Sequence, residues 1–404
     1  MEQATKASSL FSLSLPPYIL ACIQRLEDHG EEAYVVGGSL RDALLGIDPH
    51  DYDLATSAPP ERTAELFSDH RVIETGLQHG TVTVLCDGNP VEITTFRVDG
   101  KYSDARHPDQ VTFTRRITED LARRDFTVNA MAYHPTRGLI DPFGGREDLK
   151  NRSLRAVGDP QKRFEEDALR IMRAFRFSAQ LGFDIEDATL RGCVLSKFGL
   201  TNIARERIAT EFLKLLVALD PEPALRKLID SALIPFITKE YSPNVEHLFL
   251  MARAPHEECA RLALFLSETD KEHALSLLRE LKLSNKQITA TCAILSCMKQ
   301  SVKTPADARR LIASCGVYAP LAIRLSILLG NSPTDAVSWV EENRAPCTVA
   351  QLSVSGRDLM TLGIAGKDIG TILQALLSAV LEDPSLNQRD RLLTLAKNYR
   401  AKIK

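Results

Sequence analysis

The spacing of hydrophobic and polar residues changes once along the chain, at about residue 150. Before that point, short strand-like runs at 34–36, 81–86 and 91–96 alternate with helical stretches. After it, apolar residues recur at helical spacing almost to the C-terminus, with Pro or Gly interruptions near residues 221, 255, 304, 332 and 384. The pattern predicts an α+β fold in which residues 1–149 form a small mixed β-sheet with helices and the remainder is all-α.

Residues 34–53 hold the first group of chemically informative side chains. The predicted strand ends in Gly37-Gly38, where the absence of a Cβ lets backbone amides approach a phosphate. Ser39 follows as a hydroxyl donor and Arg41 as a fixed cation. A Gly-Gly pair by itself is typical of an ordinary turn, so these four nucleotide-binding candidates depend on what lies near them.

Three acidic residues supply that context. Asp51 and Asp53 are two residues apart, so both point to one face if they lie on a strand. Two carboxylates beside a phosphate cradle are what two-metal phosphoryl transfer requires. On the predicted strand 91–96, Glu92 shares a face with Thr94 and Phe96, which makes it a candidate third acid. A surface glutamate on the solvent side of the sheet is an equally good interpretation of that position.

Two stretches follow the strand at 91–96. Residues 97–116 are polar with poor periodicity and predict a long loop, of the kind that forms a lid or is disordered. Residues 118–133 predict a helical segment that carries Arg123, Arg124, Asp125 and Asn129. Adjacent arginines near a triphosphate can bind phosphates bidentately, although such a triplet of charges is also typical of a solvated helix face.

A predicted helix at 164–183 carries the second informative pattern. Asp167, Arg170, Arg173 and Arg176 recur every three residues and would form one polar stripe. An exposed helix with an Asp167–Arg170 ion pair would explain them. In a nucleotide site, however, Asp only accepts and Arg only donates hydrogen bonds. The pair would match the amine and ring nitrogen of cytosine and adenine and mismatch uracil and guanine, with the other two arginines along the sugar and phosphates.

The bulk composition limits the class of protein. The net charge of −3 confines any nucleic-acid contact to local basic patches. Eight cysteines are spread singly, and the closest pair in sequence, Cys292 and Cys297, lacks metal-ligand or redox spacing, which indicates reduced, buried thiols and a cytoplasmic location. No run of about eighteen apolar residues occurs, and the N-terminal segment does not have the features of a signal peptide.

These stretches together resemble the bacterial class II tRNA nucleotidyltransferases, the CCA-adding enzymes of the DNA polymerase β nucleotidyltransferase superfamily. The resemblance is dense over residues 30–215 and weaker near the C-terminus. Its main motifs are VVGGSLRDALLG with HDYDLAT, VEITTFR, YSDARHP, EDLARRDFTVNAMAY, DPFGGREDL, EEDALRIMRAFRFSAQLGF and IARERIATEF.

The resemblance implies roles for the matching residues. Asp51 and Asp53 correspond to the Mg²⁺-binding acids, and Glu92 to a third carboxylate that helps deprotonate the primer 3′-hydroxyl. Asp167 and Arg170 correspond to the base-reading pair. The remaining nucleotide contacts implied are Gly38, Arg41, Arg124, Asn129, Arg173 and Arg176.

The resemblance also implies an elongated molecule with a nucleotidyltransferase head at 1–149, a base-recognition neck at 150–217, a body at 218–330 and a tRNA-binding tail at 331–404. Some relatives carry a metal-dependent phosphohydrolase domain with a His-Asp signature after the neck. Here the comparable stretch has His247 and His256 without a His-Asp pair, so we expect a helical body with no second metal site.

The implied activity is template-independent addition of C, C and A to the 3′ end of tRNA from CTP and ATP, with release of pyrophosphate. Addition of A alone, addition of CC alone and poly(A) synthesis stay open as alternatives. The length of the 97–116 loop argues against a CC-only enzyme, because the resemblance implies a shortened loop there. The three intact acids argue against a catalytically silent RNA-binding protein. The large helical half argues against an enzyme that modifies a small antibiotic.

Overall fold

The structure is a computed structural model that describes residues 13–49, 51–73, 76–77, 80–100, 111–239, 241–342 and 345–403. The chain divides into two compact units. The first comprises Met1–Glu211 with Lys227–Phe236, and the second comprises Phe212–Arg226 with Ile237–Lys404. The finer division into head, neck, body and tail stays a prediction.

The described strands all lie in the first unit. They are β1 Ala33–Val36, β2 Asp53–Thr56, β3 Arg71–Ile73, β4 Thr81–Cys86, β5 Asn89–Thr95, β6 Arg97–Asp99, β7 Val111–Phe113, β8 Ala132–His134, β9 Gly138–Ile140, β10 Ser153–Leu154 and β11 Asp184–Ile185. Seven of those described strands form one sheet in the order β3-β4-β5-β2-β1-β8-β9. Because β2 and β5 are parallel and the other neighbours antiparallel, the predicted mixed sheet is confirmed.

The helices of the described chain continue to its end. They are α1 Pro17–Asp28, α2 Gly37–Leu44, α3 Pro60–Leu66, α4 Ile117–Ala122, α5 Gly145–Lys150, α6 Pro160–Glu166, α7 Leu169–Leu181, α8 Asp187–Leu195, α9 Arg205–Leu216, α10 Glu222–Asp230, α11 Ile234–Thr238, α12 Glu258–Phe265, α13 Lys271–Glu280, α14 Asn285–Met298, α15 Pro305–Cys315, α16 Ala319–Leu328, α17 Ala336–Glu342, α18 Gly356–Thr361, α19 Lys367–Glu382 and α20 Arg389–Ile403. The predicted change from strands to helices is therefore confirmed.

The core of the first unit explains why β1 lies inside the sheet. All four residues of β1 are buried, as expected for a strand with neighbours on both edges and apolar cover on both faces. On one side Tyr34 and Val36 pack in a cluster with Phe96 of the chain after β5 and Leu121 of α4. This packing fixes the end of β1, from which the glycine turn starts.

Three predictions about the first unit were wrong at the ends of elements. β2 begins at Asp53, so Asp51 precedes the strand rather than sharing a face of it. The predicted loop 97–116 begins and ends in strands, because β6 and β7 pair in antiparallel register. Residues 101–110, the middle of that loop, lie outside the described residues. Phe96 also lies beyond β5, buried in the core rather than beside Glu92.

Two predicted helices are interrupted where a residue has a stronger local or tertiary partner. The helix predicted over 118–133 ends with α4, since Phe126 is fully buried and bridges in extended fashion to Ala156. The helix predicted over 164–183 breaks at Asp167, whose backbone is extended and whose Oδ1 accepts a hydrogen bond from the amide of Leu169 at 3.0 Å. This Asx turn offers the backbone an alternative to the helix.

One stretch of the described chain, Pro305–Leu328, has the length and composition of a membrane-spanning helix. It consists of α15 and α16, separated by a short 3₁₀ turn at Gly316–Tyr318. Each helix is shorter than the roughly 20 residues that a spanning helix needs. Both pack with α14.

Arg261, in α12, is the largest fully buried side chain of the second unit, with 0% exposure. It donates from Nη1 to the carbonyl of Leu216 at 2.7 Å and to that of Ala218, and from Nη2 to that of Ala254 at 3.3 Å. Burial lowers its pKa. The guanidinium thus satisfies carbonyls at the end of α9, which the helix itself leaves without donors.

We expect Arg261→Met to lower the free energy of unfolding by about 3 kcal/mol, because several buried carbonyls lose their donor. Urea unfolding followed by circular dichroism measures this loss. Arg226→Met is the control, since Arg226 is half exposed in an ion pair with Glu222 and such pairs contribute less than about 1 kcal/mol. Equal unfolding midpoints for both variants would contradict the assigned role of Arg261.

Candidate active site

A cavity of about 560 Å³ opens in the first unit where β1 ends and β2 begins. Most of the residues that the sequence singled out lie in its wall: Gly37, Gly38, Arg41, Asp53, Glu92, Arg124, Asn129, Asp167, Arg170 and Arg173. Ser39, Asp51 and Arg176 are not part of its described lining. The cavity therefore joins the glycine turn, the acids and the arginine-rich helix in one place.

Gly37 makes the close approach of backbone and acid possible. Its φ of +76° lies in the left-handed region, and a Cβ there would lie 3.3 Å from Oδ2 of Asp53 and 3.5 Å from Nη1 of Arg124. Val36 and Asp53 are register partners across β1 and β2. The glycine turn thus places its backbone directly against Asp53, the first residue of β2.

We expect Gly37→Ala to reduce activity about 100-fold, since displacing a reacting group by about 1 Å has that order of effect. Gly30→Ala is a matched control. Gly30 has a similar φ of +81°, but nothing lies within 4 Å of its Cβ position, so the two variants share the backbone strain and differ in the contact with Asp53. Steady-state kinetics with thermal unfolding compares them. An equal loss of activity in both variants would refute the steric explanation.

The acids meet through strand register. Asp53 of β2 and Glu92 of β5 are register partners across a parallel pair, so their side chains leave the sheet on the same face. Burial, together with the charges of Glu92 and Asp51, raises the pKa of Asp53 to about 6, against an opposing effect of Arg124. The ionised acids repel one another here, so a bound cation would stabilise the site.

A set of ion pairs holds the arginines of the cavity. Asp120 is buried and binds Arg123 at 2.8 Å and Arg124 at 3.1 Å. Burial alone would raise the pKa of Asp120, but the charges and hydrogen bonds of both arginines lower it. Because the single carboxylate of Asp120 binds both side chains, both guanidinium groups stay at the wall of the cavity.

Asn129 connects these ion pairs to a second group of contacts, because its backbone carbonyl accepts from Nη1 of Arg124 at 3.3 Å. Its Oδ1 accepts from Nη1 of Arg41 at 2.9 Å, and its Nδ2 donates to Asp125 at 3.2 Å. Asp125 in turn binds Arg173 at 2.5 Å, and the positive charge beside it outweighs the effect of burial and lowers its pKa to about 2. The network orients Arg41 and Arg173, which come from helices far apart in sequence.

Asp167 and Arg170 are held by other residues, so the alternative interpretation of an Asp167–Arg170 ion pair was wrong. The predicted stripe was wrong at Asp167 alone, because that residue precedes α7. Asp167 accepts from Arg207 at 3.2 Å, while Arg170 binds Glu166 at 2.6 Å and donates to backbone carbonyls of Arg163 and Arg123. Both side chains still line the cavity. Each also keeps hydrogen-bonding capacity, because a carboxylate accepts about four bonds and a guanidinium donates five.

Two predicted nucleotide contacts are used within the protein. The Ser39 hydroxyl is buried and donates to the carbonyl of Val36 at 3.1 Å, so it supports the turn. Arg176 is buried beside Glu211, with which it forms an ion pair at 2.8 Å. Neither is placed by the structure in the described cavity lining.

Sequence reasoning missed two residues of the lining, Phe177 and Arg207. The aromatic ring follows Arg176 in α7, and the sequence analysis assigned it no role. Arg207 belongs to IARERIATEF, a stretch that was noted only as similar to a family motif. Charge alone would have suggested Arg207, whereas no local pattern distinguishes Phe177 from an ordinary core residue.

Known proteins and families match the chain over nearly its whole length. The poly(A) polymerase head domain matches residues 33–155, a probable RNA- and SrmB-binding site of polymerase A matches residues 182–244, and tRNA nucleotidyltransferase domain 2 matches residues 254–396. The fold and the site together therefore define a nucleotidyltransferase.

Full-length relatives narrow that class. The CCA-adding enzymes of Leuconostoc mesenteroides and Bacillus cytotoxicus are both 38% identical, over 93% and 92% of this chain and 95% of each relative. The crystal structure of the Bacillus stearothermophilus CCA-adding enzyme in complex with CTP is 33% identical, with a TM-score of 0.82 over 96% of this chain and 99% of that one. The chain belongs to the family of CCA-adding enzymes, which are tRNA nucleotidyltransferases.

Membership of this family implies the use of a divalent metal ion, and the acids of the cavity fit one. Within the described chain, no group of three or more His, Cys, Asp or Glu side chains has the geometry of a complete ion site. Mg²⁺ is usually held by one or two carboxylates together with substrate phosphates and water. The raised pKa of Asp53 is consistent with a site that takes up a cation with its substrate.

Proposed function

We propose that this protein adds C, C and A in turn to the 3′ end of tRNA, using CTP and ATP and releasing pyrophosphate. The observation that carries the proposal is that one cavity holds both the strand acids and the Asp167/Arg170 pair. Phosphoryl transfer and a choice of base can therefore act on the same nucleotide without a nucleic-acid template.

Charge supports a triphosphate as the ligand of this cavity. Its lining includes four acids and a larger set of arginines: Arg41, Arg123, Arg124, Arg170, Arg173 and Arg207. Guanidinium groups bind phosphate oxygens through paired hydrogen bonds. We assign Arg41, Arg124 and Arg173 to the phosphates and sugar, because hydrogen bonds to acids or to Asn129 keep their guanidinium groups at the cavity.

The base would be chosen by hydrogen-bond direction. Asp167 presents acceptors and Arg170 presents donors, which match the exocyclic amine and ring nitrogen shared by cytosine and adenine. Uracil and guanine present the opposite order. Arg207 and Glu166 hold the two side chains at the cavity, so the selective surface exists before a nucleotide arrives.

The acids would organise the reacting groups. Asp51 and Asp53 would hold Mg²⁺, which when bound stabilises the charge of the attacking and leaving oxygens. Glu92 lies beside Asp53 and would accept the proton of the tRNA 3′-hydroxyl as its oxygen attacks the α-phosphate. Arg124, 3.5 Å from the Cβ position of Gly37, would keep the triphosphate against the turn.

An assay with three tRNA ends tests the proposal and separates it from partial activities. Purified protein is incubated with tRNA that lacks CCA, ends in CC, or is complete, with each nucleoside triphosphate alone and with CTP and ATP together. We expect C, C and A to be added to the first, A to the second and nothing to the third. Addition of A alone, of CC alone or of a long A tract would replace the proposal by the corresponding partial enzyme or a poly(A) polymerase.

The parts of the chain outside the cavity would bind tRNA. We propose that residues 150–404 contribute to this contact through the backbone and shape of the acceptor arm, since such binding needs no base sequence. We also place the protein in the cytoplasm, where its eight buried, free thiols would stay reduced.

A further inference from the structure

Phe177, in α7, lies at the centre of three positive charges. The Cζ atoms of Arg41, Arg173 and Arg176 lie 5.2, 5.2 and 4.0 Å from the centroid of its ring. The ring lines the nucleotide cavity and is only 7% exposed. Its edge packs against Phe126, with the ring centroids 5.9 Å apart and the planes at 80°. The ring is thus held firmly among the guanidinium groups.

Each of these arginines also has an acidic or amide partner. Arg41 binds Asn129, Arg173 binds Asp125 and Arg176 pairs with Glu211. The aromatic ring is the group that all three guanidinium groups have in common. A cation is attracted to the face of such a ring, so like charges that would otherwise repel each other can converge there.

The positive charges of the three arginines interact with one another. Burial lowers the pKa of Arg176, and the positive charges of Arg173 and Arg41 lower it further, against the opposing effect of Glu211. Without the ring, Arg41 would keep Asp42 and Asn129 and Arg173 would keep Asp125, but both would lose the surface that packs against the guanidinium group. Each side chain would then sample orientations that point away from the cavity.

We propose that Phe177 is a positioning residue, which holds Arg41 and Arg173 in the orientation that binds the triphosphate of the incoming nucleotide. This inference rests on the proposed function, because it needs a nucleoside triphosphate in this cavity. The ring acts on the phosphates through the arginines rather than on the base. Its contribution must therefore be the same for CTP and ATP.

The test compares Phe177→Leu, which keeps an apolar side chain but removes the ring, with Phe177→Tyr, which keeps the ring. We expect Phe177→Leu to raise KM for CTP and ATP equally, by about tenfold given the strength of two cation–π contacts, with kcat changed less than about threefold. Phe177→Tyr should restore KM. Calorimetric titration of CTP without tRNA should show the same weakening for Phe177→Leu.

Phe175→Leu is the matched control, since it deletes a ring from a fully buried position of the same helix that is outside the described lining of the cavity. It should lower stability and leave KM unchanged. Phe177→Met, with a flexible side chain of similar size, replaces Phe177→Leu if that variant does not fold.

The inference would be overturned by an unchanged KM in Phe177→Leu, by a change for one nucleotide only, or by equal losses in Phe175→Leu. Failure of Phe177→Tyr to restore KM would also do so, because it would indicate a role in packing. A wild-type protein that transfers no nucleotide would instead refute the proposed function, so the two failures are distinguishable.

Discussion

Replacing Asp53 by Asn is expected to reduce nucleotide incorporation by about 1000-fold or more, while tRNA binding persists. The amide keeps the size of the side chain but removes the negative charge that would hold the metal ion. Asp53 lies at the meeting point of the glycine turn, Glu92 and Arg124, so no neighbouring carboxylate occupies the same place. Pyrophosphate release measures the loss, and a gel-shift assay with tRNA measures binding.

Asp69→Asn provides the control for this prediction. Asp69 is an exposed acid of the same unit, paired with Arg25 at 2.7 Å, and its replacement should leave turnover within about twofold of the wild type because exposed ion pairs contribute little. Turnover of Asp53→Asn comparable to that of the wild type would refute the metal assignment. Loss of tRNA binding together with loss of turnover would show instead that the variant has lost its fold.

The second large effect concerns the choice of base, which Asp167→Asn is expected to relax toward UTP and GTP. An amide offers a donor where the carboxylate offers only acceptors, so it can bind the carbonyl oxygen of uracil or guanine. Its oxygen can still accept from the amide of Leu169, which keeps the Asx turn. We expect the preference for C and A to fall about 10- to 100-fold, which is the effect of one hydrogen bond to a charged group.

A competition assay with mixed nucleotides measures this preference directly. Asp184→Asn is the control, because Asp184 is an exposed acid in the same unit and pairs with Lys227 at 3.2 Å; its selectivity should equal that of the wild type. Unchanged selectivity in Asp167→Asn would refute the base-reading role. A general loss of incorporation with all four nucleotides would do the same, since it would assign Asp167 to holding Arg207 alone.

Local pattern predicted much of the fold because it reports burial. The alternation of β4 and the wholly apolar β1 follow from the faces that these strands cover. The helices after residue 187 follow from apolar spacing, and α19 and α20 lie where periodicity predicted them. Element ends were predicted poorly, since a side-chain turn at Asp167 and a long-range bridge at Phe126 interrupt stretches whose spacing predicted continuous helices.

The sequence by itself determined which chemistry this protein carries. The sequence sets the residue types at Gly37, Asp53, Glu92, Asp167 and Arg170, and the donor and acceptor properties of these residues do not depend on the fold. Their order along the chain was enough to indicate a nucleotidyltransferase with a preference for C and A. The resemblance to a family then named the substrate.

Only the tertiary structure decided which of these side chains lie close together and which groups of the protein they contact. Strand register placed Glu92 beside Asp53, and burial against Val36 removed Ser39 from the site. Folding also placed the ring of Phe177 among three arginines. The physical reason is that these contacts join residues from different strands and helices, whose proximity depends on packing of the whole unit and leaves no mark on local spacing.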